Sequence, residues 1–102
     1  MKNTDENIVA AGLALSEGLR IRILRLLPLG PNCQEMYNVS ELAEELGVSQ
    51  PVVSRHLAVL KRAGLVTSER VCQGVYYAID GQRAREILAG FESTLKGSTR
   101  SR

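Results

Sequence analysis

The sequence predicts a mainly α-helical domain with one small β-hairpin, about five helices and two strands in all. Three observations support this prediction. Apolar residues recur at helical spacing in several segments, and short turn signals separate those segments. After the fourth helical segment comes a stretch with the composition of two strands, with Gln73-Gly74 near its middle. The chain has 102 residues, which suits one domain with one core.

The first two helices are expected over residues 6–15 and 17–27. Small residues in the first helix would let another helix approach closely, and Pro28 ends the second because its ring cannot continue a helix. Residues 28–38 then combine turn-forming residues with little periodicity, which indicates a connector. Two interpretations of the connector stay open: a passive surface insertion, or a segment that contacts a ligand or a second subunit.

A third helix is expected over residues 39–48, and a fourth starts directly after it. Ser40 is the expected N-cap of the third helix, and Gly47 is the residue expected to end it. The apolar positions in between follow the spacing of a helix with one buried face. Two short helices that meet through a turn containing glycine are typical of a helix-turn-helix.

The fourth helix is expected to start at its N-cap Ser49 and to stop at Gly64, which suits the left-handed position just past a helix. At about 100° per residue, one side of this helix is apolar and the opposite side is small and cationic. The apolar side consists of Val53, Leu57 and Leu60, and the opposite side of Pro51, Arg55, Ala58 and Arg62. Such a face is either merely solvated or shaped to enter a DNA groove, where slim side chains and guanidinium groups are needed.

The hairpin is expected over residues 65–79, and Asp80 then caps a last helix that ends near Lys96. That helix carries a stripe of Ala84, Ile87, Leu88, Phe91 and Leu95. Residues 98–102 form a polar, basic tail that we expect to be disordered, so the predicted domain covers residues 1–97.

A helix-turn-helix followed at once by a hairpin is a winged helix, whose plainest use is DNA binding. In three motifs, which occur in order, the chain resembles the arsenic-repressor (ArsR/SmtB) family of bacterial regulators. The motifs are Leu-Ser-Glu-Gly-Leu-Arg-Ile-Arg-Ile-Leu from position 15, Ser-Gln-Pro-Val-Val-Ser-Arg-His-Leu from position 49 with Leu-Lys-Arg-Ala-Gly-Leu-Val from position 60, and Val-Tyr-Tyr from position 75. The resemblance implies a winged helix-turn-helix fold and a homodimeric, DNA-binding transcriptional regulator, usually a repressor.

The predicted helix-turn-helix and wing also locate the candidate DNA-binding residues. Base-edge contacts in the major groove are expected from Gln50, Ser54 and Arg55. Phosphate contacts, or a role in fixing the helix, are expected from Ser49, His56, Lys61 and Arg62. Pro51, on the outward side of the helix, also counts among the candidate DNA-binding residues. Contacts from the wing to the neighbouring backbone or minor groove are expected from Arg70 and Gln73. Two copies related by a twofold axis would bind an inverted-repeat operator with half-sites about one helical turn apart.

The metal ligands of the family are missing from this sequence. Where the family has two cysteines at the start of the supporting helix, this chain has Asn38 and Ser40, which do not replace thiolates toward soft ions. The last helix contains no histidine, so the Asp and His site of other members is also absent. We therefore predict no metal and no cofactor, and the effector stays unknown.

Cys33 in the connector and Cys72 in the wing are the two cysteines of the chain. They allow a thiol-based redox sensor in which oxidation moves the wing and weakens DNA binding. The alternative is two unrelated small residues, which we favour because neither cysteine has flanking residues of the kind that activate a thiol.

The composition agrees with a DNA-binding protein in the cytoplasm. The net charge of the chain is only +2, but the basic residues of the chain cluster in the second helix, the fourth helix and the wing. No segment has the length and apolar character of a membrane span or a signal peptide. No catalytic arrangement is present, so we predict that the protein is not an enzyme. Two other readings stay open: a winged-helix module that binds protein rather than DNA, and a DNA binder without an effector.

Overall fold

The computed structural model describes residues 4–30 and 35–96 and confirms the predicted fold class. The helices are α1 (Thr4–Ala14), α2 (Gly18–Leu26), α3 (Val39–Leu46), α4 (Gln50–Arg62) and α5 (Gly81–Lys96), and the strands are β1 (Val66–Val71) and β2 (Gly74–Ile79). The α3–α4 pair is the helix-turn-helix, and the antiparallel β1–β2 hairpin is the wing. The basic tail predicted at residues 98–102 lies outside the described residues.

The core is built around the apolar side of α4, as the sequence predicts. Val53, Leu57 and Leu60 are fully buried, and α4 packs against α1, α2, α3 and β1. Ile23 from α2 and Leu42 from α3 are fully buried members of the same cluster. Burying one aliphatic side chain of this size stabilises a fold by about 1.5–3 kcal/mol. These contacts therefore fix how α4 is rotated about its own axis.

The start of α3 differs from the prediction. Asn38, not Ser40, is the N-cap: its Oδ1 accepts a hydrogen bond from the Glu41 N–H at 2.7 Å, and the Asn38 N–H donates to Glu41 Oε1 at 3.0 Å. This reciprocal pair satisfies two backbone donors at once. Ser40 cannot form the same arrangement because the residue three positions after it is Ala43, which has no acceptor to return the bond.

Left-handed glycines end both helices of the motif, as predicted. Gly47 has φ of +72° after α3, and its N–H donates to the Ala43 carbonyl at 2.9 Å. Gly64 has φ of +86° after α4. The N–H of Gly64 donates to the Lys61 carbonyl, and the N–H of Leu65 donates to the Leu60 carbonyl, each at 3.0 Å. This pair of bonds satisfies the last carbonyls of α4 and turns the chain directly into the wing.

The wing has a two-residue loop. The strands pair in register from Val66 with Ile79 to Val71 with Gly74, which leaves Cys72 and Gln73 at the tip. Cys72 has φ of +56°, an uncommon conformation for a residue other than glycine but one that tight hairpin loops require.

The ends of the connector are attached to β2, which the sequence did not predict. The Ile79 N–H donates to the Pro28 carbonyl at 2.8 Å, and the Gly30 N–H donates to the Ile79 carbonyl at 2.9 Å. At the other end of the connector, the Tyr77 N–H donates to the Tyr37 carbonyl at 2.8 Å. These bonds occupy backbone groups of β2 that do not pair with β1. Contact of the connector with a ligand or a second subunit stays a prediction.

The terminal helices α1 and α5 pack against each other and leave apolar side chains on the surface. Asp80 caps α5 as predicted, because its Oδ1 accepts from the Arg83 N–H at 3.1 Å. In the stripe of α5, Ile87 is buried, whereas the next members stay exposed. The exposed fractions are 65% for Leu88, 49% for Phe91 and 61% for Leu95, and on α1 they are 60% for Val9 and 66% for Leu13. Within the described residues, none of the helices combines the length and the apolar character needed to cross a bilayer.

We expect Gly64→Ala to lower the free energy of unfolding by about 1–2 kcal/mol, because any other L-residue is strained at this positive φ. The added Cβ would also lie 2.7 Å from the Arg83 guanidinium, which would have to move. Urea denaturation at one fixed protein concentration measures the change.

Gly18→Ala is the matched control for this variant. Gly18 is the first residue of α2, and a Cβ there meets nothing within 4 Å. The control should be neutral or slightly stabilised. Equal stability of the two variants would contradict the role assigned to Gly64.

Candidate nucleic-acid interface

The side of α4 opposite the core is exposed along its whole length. We call this side the reading face. Its exposed residues are Gln50, Pro51, Ser54, Arg55, Ala58, Lys61 and Arg62, with Ser49 exposed just before the helix. The residues of α4 that sequence analysis assigned to DNA thus share one exposed surface, except His56, which is half-buried. The other two assigned residues, Arg70 and Gln73, lie on the wing.

The reading face is positively charged, and α4 contains no carboxylate. Its cations are Arg55, Lys61 and Arg62. Within residues 4–30 and 35–96, none of these three lies within ion-pairing distance of a carboxylate. The acidic residues of the motif are instead exposed on α3: Glu41, Glu44 and Glu45. The cationic side chains of α4 therefore remain available for phosphates or base edges.

The first turn of α4 begins at the predicted N-cap but lacks the expected side-chain capping bond. Ser49 has the extended backbone of an N-cap, and its carbonyl accepts from the Val53 N–H at 3.2 Å. Its side chain makes no capping hydrogen bond, contrary to the usual role of serine at this position. Pro51 occupies the first turn, where its missing N–H is no loss. The Ser49 hydroxyl is consequently not committed to the helix.

His56 is held by an arginine from another helix. Arg20 Nη1 lies 3.1 Å from His56 Nδ1. Because a guanidinium only donates, Nδ1 is the acceptor and the proton of the neutral ring is on Nε2. Burial lowers the pKa of His56, and the charges of Arg20 and Arg55 lower it further, whereas Glu17 acts in the opposite direction. These effects favour the neutral form of the imidazole beside the reading face.

Lys61 connects the reading helix to the wing. Its Nζ donates to the Ser68 hydroxyl of β1 at 2.7 Å. In this arrangement the ammonium is placed at the junction of α4 and the wing while its side chain stays exposed. The predicted phosphate contact of Lys61 remains a prediction.

The wing places its candidate residues at its outer end. Arg70 is exposed on β1 opposite Val75, and Gln73 is exposed in the loop. Cys72, also exposed, lies between them in sequence. Cys33 lies outside the described residues, so the choice between a thiol-based redox sensor and two unrelated cysteines stays open.

The open groove beside α3 is not part of this interface. Its volume is about 570 Å³, and it lies between the connector and α3. The carboxylates in its lining are Glu35, Glu41, Glu44 and Glu45. Such a lining repels phosphates and so disfavours contact with DNA.

The positions of the family's thiolate site have other roles here. Asn38 caps α3 through its side chain, and Ser40 is exposed in the first turn. In the part of the chain that the structure describes, no group of three or more His, Cys, Asp or Glu side chains is arranged to hold a metal ion.

Sequence analysis missed two residues that support residues of the interface from neighbouring elements. Arg20 contacts His56 across 36 positions, and Ser68 receives the hydrogen bond of Lys61. Neither contact leaves a periodic signal, because periodicity reports only which residues share a face of one element. The cluster of arginines in α2 was the one available sign, and it did not distinguish Arg20 from the exposed Arg22.

Comparison with known proteins adds a family match. The model described as "Bacterial regulatory protein, arsR family" matches residues 17–68. An uncharacterized HTH-type transcriptional regulator from Methanocaldococcus jannaschii is 43% identical over 86 residues, which cover 84% of this chain and 78% of that protein. The HTH-type transcriptional repressor SmtB from Mycobacterium tuberculosis is 42% identical over 75 residues, which cover 74% of this chain but only 52% of the repressor.

Solved structures show the same fold. An ArsR-like transcriptional regulator from Rhodococcus sp. RHA1 matches with a TM-score of 0.76 at 25% identity, covering 97% of this chain and 98% of that chain. A homodimeric winged helix-turn-helix DNA-binding domain from Mycobacterium bovis matches with a TM-score of 0.67 at 27% identity, covering 95% of this chain and 89% of that chain.

We expect the stability of the protein to fall as the pH decreases from about 7.5 to 5.5, in part because of His56. The unfolded chain takes up a proton near the ordinary pKa of 6.5, whereas the folded chain does so only at lower pH. The unfolded state therefore binds more protons in this window, and the free energy of unfolding decreases. His56→Gln should show a smaller decrease, since His56 is the only histidine of the chain. Urea denaturation at each pH tests this, and equal slopes for the two proteins would contradict it.

Proposed function

This chain belongs to the ArsR family of bacterial regulatory proteins, and from that premise we propose that it is a homodimeric transcriptional repressor that binds an inverted-repeat operator. The observation that carries the proposal is the reading face: an exposed, cationic, carboxylate-free side of the second helix of a helix-turn-helix. The family consists of regulators, and the chain is accordingly a regulator and not an enzyme. A DNA-binding role would place it in the cytoplasm together with its operator.

In the proposed complex, the first half of α4 lies in the major groove. Gln50, Ser54 and Arg55 contact base edges, since they are exposed in the part of the helix that enters a groove first. Arg55 supplies the strongest candidate contact, because a guanidinium binds the O6 and N7 atoms of guanine bidentately. The contacts to phosphates come from Ser49, His56, Lys61 and Arg62, while Pro51 is exposed beside them on the same face.

The wing contacts the DNA beside the major-groove site. Arg70 and Gln73 are exposed at the outer end of the hairpin, where they can reach the neighbouring backbone or minor groove. The hydrogen bond from Lys61 to Ser68 supports this arrangement, because it joins the base of the wing to the last turn of α4.

The twin subunit is proposed to cover the exposed apolar side chains of α1 and α5. A monomer that exposed Leu13, Leu88 and Phe91 would leave apolar surface in water. The similar domain from Mycobacterium bovis is itself homodimeric. Two copies would place their reading faces at half-sites about one helical turn apart.

A selection of bound sequences from random DNA tests the proposed function. We expect an enriched inverted repeat, bound more tightly than scrambled DNA in a fluorescence-anisotropy titration at moderate salt. An absence of any sequence preference would contradict the proposal. It would favour the alternative of a winged-helix module that binds protein, which the cationic reading face argues against.

We expect Arg55→Ala to weaken binding to the selected operator by about 1–3 kcal/mol and to relax the preference for one base pair of each half-site. Anisotropy titrations against operators with single substitutions measure both effects. Arg22→Ala is the matched control, because Arg22 carries the same charge in an exposed position on α2. Unchanged affinity of the Arg55 variant would show that the reading face is wrongly assigned.

Arg70→Ala should behave differently from the Arg55 variant. A phosphate contact has no base preference, so we expect weaker binding to all sequences alike and a salt dependence reduced by about one counterion per subunit. The slope of log affinity against log salt concentration is the measurement. A change confined to one base pair would instead make Arg70 a base-reading residue.

We expect Phe91→Glu to convert the dimer into a monomer, because a carboxylate at an interface has no partner and must be desolvated. Sedimentation velocity measures the change, and operator affinity should fall with it. Ser93→Glu is the control: it adds the same charge to an exposed position about 200° around α5 from Phe91. A wild-type protein that sediments as a monomer would contradict the proposed assembly.

A further inference from the structure

Arg20 joins three helices through one side chain. Its Nε donates to the Ala14 carbonyl at 2.6 Å and its Nη2 to the Leu13 carbonyl at 3.3 Å, both at the end of α1. Its Nη1 lies 3.1 Å from His56 Nδ1 on α4. The guanidinium thus connects α1 and α4 from its own position in the first turn of α2.

These contacts suit the chemistry of arginine. The last carbonyls of a helix have no partner inside the helix and carry partial negative charge, and α1 has no basic residue of its own in its last turn. The planar guanidinium presents its N–H groups in fixed directions and can serve several acceptors at once. A displacement of α1 relative to α4 would therefore break at least one of the hydrogen bonds of Arg20.

The two helices joined by Arg20 have different proposed roles. Leu13 contributes an exposed side chain to the apolar surface of α1 while its carbonyl accepts from Arg20. His56 follows Arg55, the residue proposed to contact base edges. Arg20 therefore lies between the surface proposed for the twin subunit and the reading face.

We propose that Arg20 is a positioning residue that fixes the reading helix relative to the dimer surface, and so determines which spacing between half-sites the dimer accepts. The inference rests on the proposed function, since half-site spacing has a meaning only for a dimer that binds DNA. His56 is the acceptor through which Arg20 acts on α4.

The test compares Arg20→Gln with Arg22→Gln, which removes the same charge two residues along α2 from an exposed position. Each protein is titrated against the selected operator, against operators with one base pair inserted or removed between half-sites, and against a single half-site. We expect Arg20→Gln to lose about tenfold in affinity for the original spacing, within the usual range for coupling between distant sites. Its preference among spacings should flatten, while its half-site affinity stays equal to that of Arg22→Gln.

Variants of His56 supply a second test that does not depend on the folding of Arg20→Gln. His56→Asn keeps an acceptor close to the position of Nδ1, whereas His56→Leu removes it. We expect the Asn variant to retain the spacing preference and the Leu variant to lose it. Because the two residues act together, adding Arg20→Gln to His56→Leu should cause no further loss of spacing preference.

The state of the imidazole gives a readout independent of DNA. His56 is the only histidine, so its ring nitrogen shifts are assigned without ambiguity in a ¹⁵N-labelled sample. We expect an unprotonated Nδ1 in the wild type at neutral pH and a mixture of tautomers in Arg20→Gln.

The outcomes separate this inference from the proposed function. If Arg20→Gln and Arg22→Gln discriminate spacings equally well, or if His56→Leu keeps the preference, Arg20 is not a positioning residue, although operator binding still stands. If the wild type shows no sequence preference at all, the proposed function fails and this inference fails with it.

Discussion

The rotation of α4 about its own axis is the constraint on which the rest of the interface depends. Val53, Leu57 and Leu60 are fully buried, and each stabilises the fold by about 1.5–3 kcal/mol relative to exposure. A rotation that withdrew them from the core would therefore cost a large part of the stability of a small domain. Because this side of α4 cannot turn outward, the cationic side cannot turn inward, and Arg55 is exposed as a consequence of packing.

The two ends of α4 fix its position relative to the neighbouring elements. At its N-terminal end, the left-handed Gly47 allows α3 and α4 to meet at a short turn. At its C-terminal end, Gly64 lets the chain leave the helix and enter β1 within two residues, and the Lys61–Ser68 hydrogen bond joins helix and strand again further along. The wing therefore follows from the end of α4 without a flexible linker, which fixes the distance between the hairpin and the helix proposed to enter the groove.

The sequence was sufficient to predict the features that depend only on residues close together in the chain. The buried stripe and the cationic face of α4 have helical spacing over about two turns, so the sequence pattern predicts them directly. The glycines that end α3 and α4 are local signals as well, because each stands within two residues of the end of its helix. The N-cap of α3 was missed because Asn38 and Ser40 are both good capping residues, and only the return hydrogen bond from Glu41 decides between them. Pairing of the connector with β2 and the Arg20–His56 contact join distant segments, and local patterns contain no information about such contacts.

The small size of the reading face explains why a single subunit would be a poor regulator. Three side chains are proposed to contact base edges, and at about 1–3 kcal/mol each they would give roughly 3–9 kcal/mol of discrimination per half-site. A genome offers about 10⁶–10⁹ competing sites, which corresponds to roughly 8–12 kcal/mol. One copy of α4 would therefore fall short over most of this range. Two copies would supply roughly 6–18 kcal/mol and could cover it, but only when both lie in register with their half-sites. In the proposed dimer, specificity would then depend on the rigidity of the path from the apolar surface of α1 to α4 as much as on the proposed contacts of Arg55. Arg20 is the side chain that spans this path.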